Sequence, residues 1–216
     1  MPENLFETRY DLTKKSKLRE FYDSNKILIY SSILTLIIIF ASYSYYQVSK
    51  EKKKILLSEN YIQAKIYLEK GKKTEALEIL RNIVFSNDAS YSTLSFYMIL
   101  SENLISDHEE VSKLFEHLLE NNKFDKEIRN LLLYKKALYK SNFVDEIKLL
   151  EEIKPLLYNE GSVWKVHTLL LLGDFYYSRN EYKKARDFYV QIISMKNLQR
   201  DLYDQAKLKL VLISDD

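Results

Sequence analysis

A long uncharged apolar run dominates the hydropathy pattern of the chain. Residues 27–49 are rich in isoleucine and leucine and contain no charged side chain. A helix of this length, rising about 1.5 Å per residue, matches a hydrocarbon core about 30 Å thick. The run ends in Tyr43, Tyr45 and Tyr46, as membrane-spanning helices often do at the lipid–water interface. The pattern predicts a single transmembrane helix at 27–49.

A signal peptide and a buried core helix are the alternative interpretations of this run. A signal peptide has a shorter apolar region and a small-residue cleavage site, and a core helix normally carries a polar stripe. We therefore expect a head at 1–26, the membrane helix, and a body at 50–216. Basic residues nearly balance across the helix, and the larger set before it slightly favours a cytoplasmic N-terminus by the positive-inside rule. These residues are Arg9, Lys14, Lys15, Lys17, Arg19 and Lys26 before the helix, and Lys50, Lys52, Lys53 and Lys54 after it.

The body carries a helical pattern whose clearest copy lies near the C-terminus. Leu172, Gly173 and Tyr176 are followed, after a short polar segment, by Ala185 and Tyr189. This spacing resembles the tetratricopeptide repeat, in which two short helices pack against each other. Gly173 is expected where the second helix approaches too closely for a side chain, and Ala185 is expected to face it.

A second copy follows the apolar run, with Ala64, Tyr67, Ala76 and Leu80 at the equivalent positions and Gly71 in the turn between its helices. Two weaker copies lie between these. The first consists of Phe96, Ile99, Val111, Phe115 and Leu118, and the second of Leu131, Leu132, Leu138, Ile147 and Leu150.

These copies predict an all-α protein: a transmembrane helix followed by a tetratricopeptide-like α-solenoid of about four helix pairs plus a capping helix. The capping helix is expected at 198–213, and Pro155 is expected to end or bend a helix. A plain helical bundle is the alternative. A β-rich body is disfavoured, because strands joined by tight turns need more than the 3 glycines and 2 prolines present. Turns or breaks are predicted at 69–72, 124–125, 158–161 and 178–181.

The composition offers little catalytic chemistry. The formal net charge is +2 with acids and bases interspersed, so no basic stripe points to nucleic acid. The absence of cysteine excludes disulfides and thiolate chemistry. The spacing of His108, His117 and His167 does not match a zinc protease, and no phosphate-binding loop or nucleophile elbow is present. We predict no enzyme activity, no catalytic, cofactor or metal site, and no small-molecule substrate.

A protein-binding groove is the better candidate site. In stacked helix pairs the first helix of each pair lines the concave face, which suits an extended or helical segment of another protein. A carboxylate clamp is not expected, because its positions hold Leu170 and Asp174 in the last repeat and Tyr61 and Lys65 in the first. The alternative interpretation is that several of the predicted groove residues belong to the core. The predicted groove consists of Tyr61, Lys65, Phe96, Leu100, Arg129, Leu132, Lys136, His167, Leu170, Asp174 and Tyr177.

The chain also resembles the YfgM-like family of bacterial inner-membrane proteins. The similarity rests on Leu5-Phe6-Glu7, Asp11-Leu12 and Phe21 before the run, the lysine-rich exit, and Tyr67, Gly71 and Glu75-Ala76-Leu77 after it. The two middle repeats depart from the pattern. The resemblance implies an inner-membrane protein with a cytoplasmic N-terminus and a periplasmic body. It also implies association with the Sec translocon, periplasmic chaperones or exported clients.

These observations predict a membrane-anchored interaction scaffold that assists exported proteins or chaperones near the translocon. An envelope-assembly or cell-division scaffold of the same topology is the alternative. A non-catalytic subunit of a membrane enzyme is a further alternative from another class. Sequence alone does not separate them, because a shared architecture does not define the partner.

Overall fold

The structure is a computed structural model that describes residues 17–158, 163–196 and 198–214. The similarity at residues 5–12 and most of the predicted break at 158–161 lie outside these residues. The described residues are all-helical, as predicted, and contain no strand. The helices are α1 (Lys17–Glu69), α2 (Lys73–Val84), α3 (Ala89–Ser101), α4 (His108–Asn121), α5 (Lys126–Lys140), α6 (Glu146–Leu157), α7 (Val163–Tyr177), α8 (Tyr182–Ile193) and α9 (Arg200–Ser214).

The chain divides into two compact units after Leu56. The described part of the first unit belongs to α1, which contains the predicted apolar run and is long and apolar enough to cross a membrane. Its large apolar side chains, such as Ile33 and Phe40, are exposed. The hydroxyl of Thr35 donates to the Ser31 carbonyl, which satisfies a polar group without water, as a lipid environment requires.

The first helix continues well beyond the predicted span. We expected the body to begin at residue 50, whereas α1 runs unbroken to Glu69 and the second compact unit begins at Leu57. Neither glycine nor proline occurs between residues 50 and 69, so no residue interrupts the helix before Gly71.

Three helix ends in the second unit share one chain-reversal motif. Gly71, Asn103 and Asn180 each have a positive φ, of 73°, 49° and 61°. After α1, the Gly71 N–H donates to the Leu68 carbonyl and the next N–H donates to the Tyr67 carbonyl. This pair of bonds is the Schellman motif, in which glycine and asparagine best tolerate the left-handed conformation. The predicted turns at 69–72 and 178–181 are confirmed.

Aspartates begin several of these helices. The Asp88 carboxylate accepts hydrogen bonds from the N–H groups of Ser90 and Tyr91 at the start of α3. The carboxylates of Asp107 and Asp145 accept in the same way at the starts of α4 and α6. Each side chain satisfies N–H groups that the first helical turn leaves unpaired.

Helices that follow each other in sequence pack together from α2 to α9, and α7 also contacts α5 and α9. Two apolar cores result. The first lies among the end of α1, α2, α3 and α4, and the second among α5 to α9. Leu202, Ala206 and Ile213 of α9 are buried, as predicted for a capping helix.

The predicted copy that runs from Leu131 to Leu150 needs a correction. Ile147, which the repeat spacing made equivalent to Ala185, is 71% exposed, whereas Leu149 and Ile153 are fully buried. Since α6 begins at Glu146, Ile147 lies in its first turn on the solvent side. Pro155 lies inside α6, which ends two residues later at Leu157.

The prediction that Gly173 leaves no room for a side chain is confirmed, and the atoms nearest to it belong to Tyr189 and not to Ala185. A Cβ atom built on Gly173 would lie 2.7 Å from Cζ and 2.8 Å from Cδ1 of Tyr189, and closer still to Cε1. Ala185 and Tyr189 are both fully buried on α8. The tyrosine ring therefore occupies the space that any side chain at residue 173 would need.

Candidate partner-binding surface

Two residues of the predicted groove lie in the interior instead. Phe96 is fully buried, and its ring packs edge-to-face on Phe115 with centroids 4.4 Å apart. Leu132 is 1% exposed. Neither is available to a partner, because the repeat spacing placed residues on a helix face that points inward. The alternative interpretation, that some groove positions are core, holds for these two.

Lys136 is also removed from the predicted groove. Its side chain is 10% exposed, and its ammonium lies 3.2 Å from a Glu116 carboxylate oxygen and 2.9 Å from one of Glu152. An ammonium buried to this degree needs such partners to offset its lost hydration. It therefore adds no free positive charge to a groove.

Of the remaining predicted residues, some lie with the helices of the first core, α1 to α4, and others with the helices of the second core, α5 to α9. Tyr61 packs against Tyr91 with ring centroids 6.4 Å apart, and Lys65 is exposed. Leu100 packs at the edge of the first core. The Arg129 guanidinium donates to the Leu119 carbonyl over 2.8 Å, so it helps to join α4 to α5.

A candidate surface that contains predicted groove residues lies where α5 faces α7. We call it the α5–α7 surface. It surrounds a pocket of about 280 Å³ between the two helices, which includes the predicted groove residues Leu170 and Asp174. The pocket is lined by Tyr134, Leu138, Ser141, Asn142, Leu170, Leu171, Asp174, Phe175 and Ser178.

Three aromatic rings adjoin this pocket. The ring centroids of Tyr134, Trp164 and His167 lie 5.8 to 5.9 Å from one another. The Trp164 indole N–H donates to Glu127 on α5 over 2.7 Å. Together the rings form a half-buried aromatic platform that joins α5 to α7.

The protonation states of His167 and Tyr134 in this platform follow from their burial. Burial lowers the pKa of His167, so the imidazole is neutral at pH 7. Burial raises the pKa of the Tyr134 hydroxyl, and the charge of Asp174 raises it further. At neutral pH the platform carries no charge of its own, which suits apolar and aromatic side chains of a partner.

Asp174 ties this surface to the helices behind it. Its carboxylate accepts a hydrogen bond from the Tyr189 hydroxyl over 2.7 Å and lies 2.8 Å from the Lys209 ammonium. The same ammonium lies 5.9 Å from the ring centroid of Tyr177. Asp174 therefore links α7 with α8 and α9, and its charge is largely offset by Lys209.

Sequence reasoning missed Tyr134, Trp164 and Phe175 as members of this surface. Tyr134 and Leu138 are spaced by four residues and so share one face of α5. The groove assignment instead took Leu132 and Lys136, which also lie four apart. The single tryptophan of the chain was an available signal, because large aromatic residues are enriched where proteins bind one another.

The described residues contain no cluster of three or more histidine, cysteine or acidic side chains that could hold a metal ion. His108 and His117 form hydrogen bonds with Tyr139 and Asn87, over 2.8 Å and 3.0 Å. The α5–α7 surface can thus bind apolar and aromatic groups and accept hydrogen bonds through Asp174. No family model, curated protein or solved structure matches this chain, so the family resemblance stays a prediction.

Proposed function

We propose that this protein is a membrane-anchored interaction scaffold whose body binds a segment of another protein on the α5–α7 surface. The observation that carries the proposal is the pocket of mixed apolar and polar lining beside the aromatic platform. The chain also contains a helix that is long and apolar enough to cross a membrane. Aromatic and aliphatic pockets of this kind anchor protein interfaces. On this proposal the protein acts by binding and not by catalysis.

The proposed architecture is a tetratricopeptide-like solenoid. The contacts of α7 with α5 and with α9 support a stack in which the first helices of the last two pairs and the cap adjoin one another. The close approach at Gly173 supports the pairing of α7 with α8. On this proposal the four pairs would be 57–69 of α1 with α2, α3 with α4, α5 with α6, and α7 with α8, and α9 would be the cap.

The proposed location is the bacterial inner membrane, with a cytoplasmic N-terminus and a periplasmic body. Membrane anchoring is supported by the exposed apolar side chains of α1, and the orientation rests on the family resemblance. The proposed partners are the Sec translocon, periplasmic chaperones or exported clients. An envelope-assembly or cell-division scaffold would use the same surface for different partners.

Photo-crosslinking tests the partner. A photoreactive amino acid replaces Leu138, which is 39% exposed at the pocket, or Asp187, an exposed residue of α8 that serves as the matched control. In intact membranes we expect the probe at Leu138 to crosslink translocon subunits or exported proteins, and the probe at Asp187 to crosslink few or none. Products consisting only of envelope-assembly proteins would favour the alternative scaffold. Identical products at both positions would refute the α5–α7 surface as the binding site.

Reporter fusions test the orientation. Alkaline phosphatase fused after Asp216 is expected to be active, because the enzyme needs the oxidising periplasm to form its disulfides. A reporter that works only in the cytoplasm, fused at the same position, is expected to be silent. The reverse pattern would place the body in the cytoplasm and exclude periplasmic chaperones as partners.

A further inference from the structure

A second candidate surface lies on the outer side of α6. Three open pockets, with volumes of about 430, 360 and 240 Å³, adjoin one another there. Glu151 lines both the first and the second pocket, and Leu157 and Tyr158 line both the second and the third. The pockets therefore form one trough across α6, which we call the α6 trough.

The α6 trough connects three neighbouring helices. Leu133 of α5 lines its first pocket, and Leu169 of α7 and Phe188 of α8 line its last. The middle pocket is lined by residues of α6 and by Tyr158, which follows that helix. Since α6 has 12 residues and is thus about 18 Å long, the trough can hold roughly three turns of a partner helix.

The trough exposes apolar side chains that neither core covers. Ile147 is 71% exposed and Tyr158 is 76% exposed, and both lie outside the two cores. Leu150 and Leu157 are half-buried between them. On its other face α6 buries Leu149, Ile153 and Leu156. An amphipathic helix at a protein surface needs only one apolar face, so the second apolar face of α6 indicates a binding surface.

Pro155 adds a hydrogen-bond acceptor to the trough. Proline has no N–H group, so residue 155 cannot donate the usual helical hydrogen bond to the carbonyl of Glu151. Glu151 and Pro155 both line the first pocket. A polar side chain of a partner can donate to this carbonyl, as water does when the trough is empty.

The charges around the trough are mainly positive. Among the described residues, four lysines and two glutamates line the three pockets, which gives an excess of two positive charges. They are Lys140, Lys148, Lys154, Lys165, Glu151 and Glu152. Lys140 and Glu152 lie 2.5 Å apart and neutralise each other. Neither Lys154 nor Lys165 forms an ion pair with another described residue, so both can pair with carboxylates of a partner.

We propose that the α6 trough binds an acidic amphipathic helix of another protein. The apolar side chains of such a helix would fill the pockets, which is the usual way in which a groove binds a helix. Its carboxylates would face the lysines, and this complementarity selects acidic over basic partners. A lipid surface fits less well, because the apolar side chains border depressions and the exposed Glu151 lies among them.

This inference does not rest on the function proposed for the α5–α7 surface. The described residues that line the α6 trough and those that line the α5–α7 pocket have no member in common. Loss of one binding surface would therefore leave the other in place, and the two can be tested separately.

Binding of two synthetic peptides tests the proposal. The first peptide is a helix of about 15 residues with leucine on one face and glutamate on the other, and the second has every glutamate replaced by lysine. Each carries a fluorescent label, and anisotropy reports its binding to the whole chain in nanodiscs of neutral phosphatidylcholine. The variants are Ile147→Asp and Lys154→Glu, both at exposed positions of α6, and the matched control is Lys183→Glu on the exposed side of α8.

We expect the acidic peptide to bind roughly tenfold more tightly than the basic one. Ile147→Asp and Lys154→Glu should each weaken binding of the acidic peptide by roughly fivefold or more, whereas Lys183→Glu should change it less than twofold. Circular dichroism of each variant should match that of the parent chain, because the replaced side chains are exposed.

Four outcomes would overturn the proposal. Equal affinity for the two peptides would remove the charge argument, and binding that is unaffected by Ile147→Asp and Lys154→Glu would place the peptide elsewhere. If the chain alone self-associates and Ile147→Asp abolishes this, the occupant is a second copy. If vesicles containing anionic phosphatidylserine bind and both variants prevent it, the occupant is a lipid surface.

Discussion

Replacing Gly173 with valine is expected to lower the free energy of unfolding by roughly 1–3 kcal/mol, the usual cost of overpacking a tight contact. The new Cβ would lie 2.7 Å from Cζ of Tyr189. That ring cannot move aside easily, because it is fully buried and its hydroxyl is bonded to Asp174. Part of the cost is offset, since glycine inside a helix costs up to about 1 kcal/mol relative to alanine.

The measurement is chemical denaturation followed by fluorescence of Trp164, the single tryptophan of the chain, which lies between α5 and α7. Lys183→Val, at an exposed position of α8, introduces the same side chain without a clash and should shift the midpoint far less. An equal or higher midpoint for Gly173→Val would mean that α8 does not pack against residue 173. The pairing of α7 with α8 would then be wrong.

Replacing Phe115 with alanine is expected to cost about 3–5 kcal/mol, the range measured for large aromatic residues removed from a core. Phe115 is 1% exposed and packs edge-to-face on Phe96, with ring centroids 4.4 Å apart. Its removal leaves a cavity in the first core, where fully buried neighbours have little freedom to fill it.

Far-UV circular dichroism during denaturation measures this loss over the whole body. The matched control is Leu94→Ala on α3, because Leu94 is 50% exposed and its truncation leaves no enclosed cavity. If Phe115→Ala lowered the free energy of unfolding no more than Leu94→Ala, the first core would not stabilise the body as its packing indicates.

Much of the fold could be predicted from sequence because the deciding interactions are local. An uncharged run at 27–49 is apolar on all sides, which indicates a helix long and apolar enough to cross a membrane. The turn at Gly71 needs a residue that tolerates a positive φ, and the spacing of Gly173 and Tyr189 indicates where two adjacent helices touch. Each of these features depends on residues close together in the chain.

The candidate site was harder to predict, because it depends on the rotation of each helix against neighbours far away in sequence. Phe96 and Leu132 have the composition of either a groove or a core, and only packing placed them in the core. Tyr134 and Trp164 lie 5.9 Å apart on separate helices, and no short-range pattern relates them. Irregular repeat lengths made the direction of each side chain harder to predict, since a shift of two residues turns a helical side chain by about 200°.

The sequence by itself therefore determined the apolar helix, the all-helical class, the turns at 69–72 and 178–181, and the lack of room at Gly173, since each follows from short-range chemistry. Only the tertiary structure decided that Lys136 is paired with Glu116 and Glu152 and that Ile147 faces solvent. Lysine is usually exposed and isoleucine usually buried. Both tendencies reversed here because carboxylates from α4 and α6 converge on Lys136, and because the start of α6 turns Ile147 outward.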